Sequence, residues 1–375
     1  VADIKGIYVP SLTEYDETKG VTKNGGELLC IEKFSAPLSK CISTPVLSEK
    51  SFFANTFVIE IVRGCPQRCG FCLASYLNLP ARFCDYDQII AGIDFGLKYT
   101  NKIALLGALI TAHPRFDDIC RHILKRKEDI PDLELSVSSL RADSISPVII
   151  QTLVACGQKH STIAIEAGSE RLRKLINKNL SEKQIFETVK TAYENGLKGL
   201  KIYAMVGHPT ETKHDIDEMI ALAKKLKTSF KDFDFTFSFA TFVPKSHTPF
   251  QFCERESVKS LEQKYEYLKK EFHKLGVKIR TSSVKWDYWQ ALISRGDRRL
   301  CDYLVSVYKD GANLGAFKQT YKNMYKQKLL PPSEEFALRK RDINENLPWD
   351  FIKMPPSKEA LIKEYQRLLG ECNKV

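Results

Sequence analysis

Residues 59–72 read IEIVRGCPQRCGFC, and the rest of the chain is organised around this stretch. An apolar, β-branched run precedes a Gly/Pro loop, which is the pattern of a short buried strand followed by a turn. The loop presents Cys65, Cys69 and Cys72 in close succession. Three thiolates are one ligand short of an electron-transfer iron–sulfur cluster, and an open ligand position is typical of a reaction centre. A zinc knuckle with a distant fourth ligand such as Cys84, or three unrelated thiols, are the alternatives.

The composition is that of an ordinary globular protein, with 375 residues, 43% of them hydrophobic and 27% charged. This length allows one large α/β domain with an appendage, or two domains. No run approaches the roughly 20 apolar residues that span a bilayer, so we expect no membrane contact. We interpret residues 1–50 as an N-terminal extension or as a linker from an upstream domain, because the chain begins at Val1 and not at Met.

Cysteine usage and charge constrain the compartment and the partners. The chain has eleven cysteines, an odd number, and outside the loop they are scattered, which is not a disulfide framework. We therefore expect a cytoplasmic protein whose scattered cysteines are small buried hydrophobic residues. The net charge of +11 permits RNA as a partner, so nucleic acid stays open. Because no compact basic run is interleaved with aromatic residues, we interpret the charge as solvated helix faces.

From residue 57 onward, apolar strands alternate with amphipathic helices. The pattern predicts strands at 57–62, 102–107, 133–138, 161–166, 198–206, 234–242 and 277–284. It predicts helices near 86–98, 115–127, 145–156, 181–195, 211–228, 256–275, 286–308, 314–326 and 357–371. Ser181 and Gln184 fit a capping box, and Asn195-Gly196 ends that helix. Strands separated by helices imply parallel βαβ units, and periodicity alone does not decide between a doubly wound sheet and an open barrel.

The cysteine spacing, with Phe71 just before the third cysteine, resembles the cluster loop of radical S-adenosylmethionine (radical SAM) enzymes. The resemblance implies that Cys65, Cys69 and Cys72 hold a [4Fe–4S] cluster whose open iron binds S-adenosylmethionine. An electron from a reduced flavodoxin or ferredoxin-type donor would then split that cofactor into methionine and a 5′-deoxyadenosyl radical. The implied fold is α/β, a partial (β/α)6 TIM-like barrel at 51–280 with a mostly helical C-terminal extension at 281–375.

In a parallel barrel, chemistry collects at the C-terminal ends of the strands. After the first strand, the resemblance implies that Phe71 presents its backbone to adenine. After the second, Gly107 stands where relatives carry a Gly-Gly-Glu type motif for the methionine amino group, but the acid is absent here. After the third, Ser139 and Arg141 lie in a polar turn that we interpret as facing the substrate or the cofactor. A helix N-cap by residues 143 or 144 is the plain alternative there.

The fourth strand ends in EAGSERLR, residues 166–173, which resembles a signature of a radical SAM subgroup often fused to a cobalamin-binding domain. The resemblance implies that Glu166 and Ser169 bind the ribose of S-adenosylmethionine. Arg171 and Arg173 are further candidates, for the methionine carboxylate. A carboxylate at the end of a buried strand is costly unless it is paired, which supports a role for Glu166.

The fifth and sixth strands end in turns that also resemble this family. Residues 207–212 read GHPTET and are similar to the family's Gly-x-Pro-x-Glu-Thr turn. The resemblance implies that the adenine is lined by four residues: Tyr203, Met205, Gly207 and Pro209. We interpret His208 as structural rather than as an acid or base. Phe242, at the end of the sixth strand, is expected at the barrel mouth near the ribose and the substrate.

The leading expectation is therefore an enzyme that cleaves S-adenosylmethionine reductively and acts on an unknown substrate. Use of cobalamin, through an upstream domain, is a narrower hypothesis, although no Asp-x-His-x-x-Gly motif occurs in these residues. A second alternative is methylthio transfer to RNA or protein. A third, from another class, is a zinc-stabilised module that binds nucleic acid. The sequence does not identify the substrate.

Overall fold

The computed structural model describes residues 4–16, 20–23, 27–38 and 40–372, and it describes side chains as far as residue 370. The side chain of Cys372, one of the scattered cysteines, lies outside the described residues. Within the described part of the chain, no helix is both long enough and apolar enough to cross a membrane.

The strands follow the predicted positions closely. They are β1 Thr13–Asp16, β2 Gly20–Lys23, β3 Ile31–Glu32, β4 Ile42–Ser43, β5 Phe57–Arg63, β6 Arg82–Phe83, β7 Lys102–Gly107, β8 Glu134–Val137, β9 His160–Glu166, β10 Gly199–Val206, β11 Asp234–Thr241, β12 Lys278–Thr281 and β13 Ile352–Lys353. The six long predicted strands correspond to β5, β7, β8, β9, β10 and β11.

Helices fill most of the connections. They are α1 Leu73–Leu77, α2 Tyr86–Gly96, α3 Phe116–Asp129, α4 Pro147–Ala155, α5 Glu170–Leu175, α6 Glu182–Glu194, α7 Lys213–Ser229, α8 Val258–Lys274, α9 Val284–Arg295, α10 Leu300–Lys309, α11 Leu314–Lys326, α12 Ser333–Ala337 and α13 Lys358–Cys372. Short 3-10 turns lie at Pro10–Leu12, Ile110–Ala112, Ala142–Ser144 and Pro249–Phe252. The predicted capping box of α6 is confirmed, and Gly196 follows its C-cap with a φ of +94°.

The predicted alternation of parallel strands and helices is confirmed. Parallel pairing joins β5 to β7 and β7 to β8, and a second parallel series joins β9, β10, β11 and β12. A parallel bridge between Leu140 and Ile163 connects the two series. The strands therefore follow one another in chain order, as right-handed βαβ units require. Among the described residues, no strand pairing joins β5 to β11 or to β12.

One face of this array packs against the helices, and the other stays accessible. Alternate residues of β10, including Ile202 and Ala204, lie in the core that the helices cover. Tyr203 points the opposite way and is 37% exposed although its strand is central. Leu106 on β7 is 52% exposed for the same reason. A β-strand places successive side chains on opposite sides, so each of these strands contributes to both faces. We call the accessible side the inner face.

The predicted helical C-terminal extension is also confirmed, with one difference in the predicted helices. The single helix predicted at 286–308 is broken into α9 and α10, because Gly296 ends α9 and Asp297 accepts a hydrogen bond from the backbone of Arg299. Helix α13 packs in a separate apolar cluster with Phe250 and Trp349, beside the turn that follows β11. The boundaries at residues 50 and 280 stay predictions.

The N-terminal segment contacts three other parts of the chain. β4 pairs antiparallel with β5, and β3 pairs in parallel with β13 near the other end of the chain. β1 and β2 form an antiparallel hairpin, and Tyr15 in β1 donates a hydrogen bond to Asp297. The segment therefore covers the edge of the first long strand, on the side away from β7.

The expectation that every scattered cysteine is a small buried residue is wrong for four of them. Cys30 and Cys301 are exposed, and Cys41 and Cys84 form a disulfide with their Cα atoms 5.6 Å apart. The cause is topological, because β4 and β6 both pair with β5 and so bring the two residues within bridging distance. Sequence spacing alone does not reveal this pairing.

Candidate functional site

The cysteine loop begins where β5 ends, at the C-terminal edge of the parallel array. Cys65 and Cys69 are buried, Cys72 is half-buried, and all three thiols are free. Gly64 starts the loop with a φ of +87°, and a Cβ there would lie 2.4 Å from the backbone oxygen of Asn78. Only glycine fits both the left-handed backbone and this close approach.

Two distant turns fasten the loop through its backbone. The N–H of Gly70 donates to the carbonyl of Ile176 at 2.9 Å, and the carbonyl of Gly70 accepts from the N–H of Phe250 at 3.1 Å. The amide of Asn177 donates to the carbonyl oxygens of Arg68 at 2.9 Å and Gln67 at 3.2 Å. The segments after the fourth and sixth parallel strands therefore hold the loop in place.

The C-terminal helix closes the same loop from another side. A Cβ at Gly70 would lie 2.9 Å from Cδ1 of Leu368 in α13 and 3.0 Å from the ring of Phe250. The hydroxyl of Tyr76 in α1 donates to the carbonyl of Arg68 at 3.0 Å, and Tyr76 packs with Leu361 of α13. The sequence predicted α13 from its apolar spacing but gave no sign of what the helix covers.

Charged side chains surround the thiol of Cys69. Burial raises the pKa of this thiol to about 12, and the positive charges of Lys178 and Arg141 oppose that rise. The negative charge of Glu166 acts in the same direction as burial. Lys178 is itself buried, and its ammonium donates to Oε1 of Glu166 at 3.3 Å. The structure thus brings together the second cysteine, the predicted ribose-binding carboxylate and two cations.

Glu166 ends β9 in a strained backbone conformation, with a φ of +68°. Such a conformation is rare for residues other than glycine and clusters at functional sites. Nε2 of His208 lies 3.2 Å from the backbone oxygen of Glu166. His208 is buried between the rings of Phe71 and Phe242, with ring centroids 6.4 and 6.0 Å away, and Nδ1 has no hydrogen-bond partner within the described chain.

Ser169 and Arg171 both bind the carboxylate of Asp215. The hydroxyl of Ser169 donates to Oδ1 at 2.5 Å and also caps α5, and its residue is 2% exposed. The guanidinium of Arg171 donates to both carboxylate oxygens, at 3.3 and 2.5 Å, and to the carbonyl of Thr210 at 2.9 Å. Burial alone would raise the pKa of Asp215, but the hydrogen bonds from Arg171, Ser169 and Thr212 outweigh it and hold that pKa below its usual value.

Arg173 and Arg141 are buried and donate to backbone carbonyls. Arg173 donates to Leu180 at 2.5 Å and to Ala167 at 2.9 Å, and burial lowers the pKa of its guanidinium. Arg141 donates to the carbonyl of Lys178 at 2.5 Å, and its Nε lies 2.6 Å from a carboxylate oxygen of Asp143. Through these hydrogen bonds, the two arginines hold the backbone of the segment that carries Lys178.

A comparison with protein families agrees with this geometry. Residues 59–223 match the family model described as the Radical SAM superfamily. This chain carries a radical SAM domain. The matched range begins in β5 and ends in α7, so it includes the cysteine loop, Glu166 and the turn after β10. The match of this segment to an enzyme superfamily supports an enzymatic role for the domain.

The chain is similar to several longer proteins. It is 33% identical to an uncharacterized protein of Methanocaldococcus jannaschii over 80% of this chain and 63% of that protein. It is 26% identical to the ribosomal protein uS12 methylthiotransferase RimO of Thermosipho melanesiensis, over 45% of this chain and 41% of that protein. The chain thus spans less than two thirds of these relatives. Among solved structures, the cobalamin-dependent S-adenosylmethionine radical enzyme OxsB aligns at 13% identity, covering 96% of this chain and 59% of that one, with a TM-score of 0.45.

The remaining predicted residues of the radical SAM domain lie at the expected strand ends. Gly107 ends β7, and a Cβ there would lie 2.9 Å from the backbone oxygen of Val62, so close backbone approach accounts for this glycine. Ser139 is half-buried after β8. Met205 shares the inner face of β10 with Tyr203. The other predicted residues are Gly207, whose N–H donates to Glu211 at 2.9 Å, the half-buried Pro209, and the buried Phe242.

Sequence reasoning assigned no role to Lys178 or to Asp215, both of which the structure brings to this candidate site. Lys178 follows an apolar helix end, and a lysine there is ordinarily solvated, so only its burial beside Glu166 reveals its role. Asp215 stands three residues after Thr212 and completes a capping box, which was the available signal. Among the described residues, no three His, Cys, Asp or Glu side chains are placed to hold a single metal ion.

Proposed function

We propose that this domain binds a [4Fe–4S] cluster through Cys65, Cys69 and Cys72 and cleaves S-adenosylmethionine reductively. When bound, the cluster supplies the electron that splits this cofactor into methionine and a 5′-deoxyadenosyl radical. The observation that supports the proposal is the loop itself, whose three thiols are free while its backbone is fastened from three sides. Three thiolates leave one iron open for the cofactor.

The cations beside the loop suit a negatively charged group. Lys178 is buried, and its charge and that of Arg141 act on the thiol of Cys69. We infer that these cations favour the thiolate form that a cluster requires, since nearby positive charge stabilises an anion. The ion pair between Lys178 and Glu166 keeps that lysine oriented toward the site.

We assign the contacts with S-adenosylmethionine to residues at the ends of the fourth to sixth strands. A carboxylate has about four lone-pair positions, so Glu166 can accept from two ribose hydroxyls while it keeps Lys178. The buried Nδ1 of His208, which lacks a partner in the described chain, suits the amino group of adenine. Phe71 and Phe242 lie on either side of the imidazole ring of His208. Ser169 and Arg171, which bind Asp215, would position these turns rather than contact the cofactor.

The inner face is the surface that we assign to the substrate. Lys201, Tyr203 and Met205 succeed one another on this side of β10, and the ammonium of Lys201 donates to the hydroxyl of Tyr203 at 3.2 Å. Ser238 of β11 pairs with Tyr203, and Arg280 of β12 pairs with Ser238, so these side chains share the inner face. Polar, accessible side chains on a central sheet suit a bound molecule better than core packing.

The test is anaerobic reconstitution with iron and sulfide, followed by reduction in the presence of S-adenosylmethionine. We expect a brown protein that forms 5′-deoxyadenosine, and we expect Cys69→Ala to lose both the cluster spectrum and this product. Cys301→Ala, which removes an exposed thiol elsewhere, is the matched control and should retain both. A fully loaded wild-type protein that forms no 5′-deoxyadenosine would contradict the proposal, and a colourless protein with one zinc would support the binding-module alternative instead.

A second proposal concerns the product of the reaction, and it is based on the similarity of this chain to RimO. RimO is a methylthiotransferase, so transfer of a sulfur-containing or one-carbon group is the outcome that we would test first. Mass spectrometry of the product, with and without added cobalamin, distinguishes methylthio transfer from cobalamin-dependent methyl transfer. We further propose a reduced flavodoxin or ferredoxin-type protein as the donor and the cytoplasm as the compartment, because an accessible cluster needs a reducing environment.

A further inference from the structure

Helix α11 and the two residues after it carry a concentration of unpaired positive charge. Residues 314–328 contain four lysines, Lys318, Lys322, Lys326 and Lys328, and no aspartate or glutamate. All four lysines are exposed. Within the described part of the chain, none of their ammonium groups forms an ion pair or a hydrogen bond. The described chain therefore supplies no anionic partner for the four lysines of this stretch.

Other lysine-rich helices behave differently. On α8, three of the five lysines, at 264, 269 and 274, pair with glutamates at distances of 2.6, 2.9 and 2.7 Å. On α7, two of the four lysines are paired, Lys213 with Asp217 at 2.7 Å and Lys225 with Glu182 at 2.5 Å. The net charge of +11 is therefore not spread evenly over solvated helix faces, and α11 is a place where it collects.

An aromatic cavity lies directly beside these lysines. Its volume is about 360 Å³, and the side chains that line it come from α9, from α11 and from residues 332–334: Tyr288, Trp289, Lys318, Tyr321, Lys322 and Tyr325. Trp289 and Tyr321 form a buried floor, with their ring centroids 5.8 Å apart, whereas Tyr325 is 49% exposed at the rim. Positions 318, 321, 322 and 325 recur at the spacing of one helix face.

Further exposed aromatic rings stand on the neighbouring helices. Tyr308, near the end of α10, is 79% exposed, and Trp286 on α9 is 42% exposed and packs edge-on against Phe317 of α11. Aromatic faces interleaved with unpaired cations are the surface on which successive bases of a single strand stack while its phosphates are neutralised. The expectation that no basic run is interleaved with aromatic residues is wrong for residues 317–328, which read FKQTYKNMYKQK. The sequence does not reveal the other half of the surface, because α9 is distant along the chain and meets α11 only in the fold.

We propose that this surface, formed by α11 and the adjoining aromatic residues of α9, binds single-stranded nucleic acid. Unstacked bases would pack on Tyr325 and enter the cavity, while phosphates follow Lys318, Lys322 and Lys326, which lie about 6 Å apart along the helix axis. Glu334, the one acidic side chain at the cavity, can accept a hydrogen bond from the amino group of a base. A duplex, whose bases are stacked inside, offers the cavity no base. An acidic protein would use the lysines but not the aromatic floor.

The test is fluorescence anisotropy of labelled oligoadenylate, about twelve nucleotides long, titrated with the cluster-loaded protein at several salt concentrations. Both RNA and DNA versions are used, because the shared chemistry of stacking and phosphate contact does not distinguish them. Replacing Lys318 and Lys322 with alanine together should weaken binding and reduce the slope of log affinity against log salt by about 1.4, since each phosphate contact with a single strand contributes about 0.7. Replacing Lys269 and Lys274 with alanine removes the same charge from α8 and should leave the slope unchanged.

Stacking is tested separately, at an exposed position that should tolerate substitution. Tyr325→Leu should weaken binding about 5- to 150-fold, and Tyr325→Phe should not, because the aromatic face is retained. Heparin, which has charge but no bases, should bind the Tyr325→Leu variant as well as it binds the wild-type protein. No saturable binding of either oligonucleotide, equal loss from both double-lysine variants, or an unchanged affinity for Tyr325→Leu would each overturn the proposal. None of these measurements depends on cleavage of S-adenosylmethionine, so the proposed function is tested independently.

Discussion

Replacing Asp215 with alanine is the sharpest test of how the turns around the site are held. The carboxylate is 1% exposed and accepts hydrogen bonds from Ser169 at 2.5 Å, from Arg171 at 2.5 and 3.3 Å, and from the backbone and hydroxyl of Thr212 at 2.8 Å each. These donors come from the turn after the fourth parallel strand and from the turn after the fifth. The substitution therefore separates two segments that otherwise share one buried acceptor.

The expected loss of unfolding free energy follows because the substitution removes one partner of a buried ion pair and leaves the other. Removing one partner of a buried ion pair destabilises a protein by about 3–5 kcal/mol. The guanidinium of Arg171 is 31% exposed and can regain water, so we expect a value near the lower end of that range, about 3 kcal/mol. Asp215→Asn retains the shape and one acceptor oxygen, and its loss should be about half as large.

The measurement is urea unfolding of the cluster-free protein at pH 7, with Asp217→Ala as the matched control. Asp217 lies on the same helix and pairs with Lys213 at 2.7 Å, but its side chain is 40% exposed, so its removal should change the free energy of unfolding little. The reasoning is wrong if Asp215→Ala destabilises the protein no more than Asp217→Ala does, or by less than about 1 kcal/mol.

The same carboxylate should give a pH dependence of known sign. The pKa of Asp215 is lower in the folded protein than its ordinary value of 3.8. Its contribution is therefore fully present above the unfolded pKa and is lost as the pH falls through the folded pKa. The difference in unfolding free energy between wild type and Asp215→Asn should be constant from pH 7 to about pH 5 and should shrink below pH 3.8. A difference that grows on acidification would contradict the assignment.

Two further predictions concern the segments on either side of the first long strand. Gly64→Ala should destabilise the protein by about 3 kcal/mol and lower its cluster content, because it adds a left-handed backbone penalty to a 2.4 Å clash with the carbonyl of Asn78. Gly157→Ala has the same φ of +87° but no atom within 4 Å of the new Cβ, so it should show the backbone penalty alone, and equal losses would refute the clash. Cys41→Ser should lower the free energy of unfolding by up to about 4 kcal/mol without reductant, because the disulfide to Cys84 closes a loop of 43 residues. With excess reductant, the variant and the wild type should be equally stable. Equal unfolding curves for this variant and the wild type without reductant would show that the disulfide does not form.

The order of strands and helices was predictable because each element carries its own local signal. The alternation along β10 and the capping box at Ser181 are properties of a few neighbouring residues, and both are confirmed. The disulfide between Cys41 and Cys84 was not predictable, because it depends on two short strands that pair with the same long one. A sequence pattern reports which face a residue occupies but not which distant segment meets that face.

The candidate site shows the same division. The resemblance pointed to the end of the fourth strand, and the residues there do lie beside the cysteine loop. Their partners could not be derived, because hydrogen bonds between turns depend on distances across the array. The predicted contacts of Ser169 and Arg171 with the cofactor stay predictions, and the bonds that both side chains make to Asp215 were not foreseen. Lys178 was overlooked because burial, and not sequence context, distinguishes it from a solvated lysine.

The way the cysteine loop is held has a consequence for what the thiols can do. Backbone groups of Gly70 and Arg68 bond to the segments that follow the fourth and sixth parallel strands, and Leu368 of the C-terminal helix packs on Gly70. The loop is therefore fixed through atoms other than its sulfur atoms. A site whose ligands are oriented by surrounding contacts binds its metal without first ordering the chain. It follows that changes in the C-terminal helix, about 300 residues away along the chain, should also alter binding of the proposed cluster, although they remove no thiol ligand.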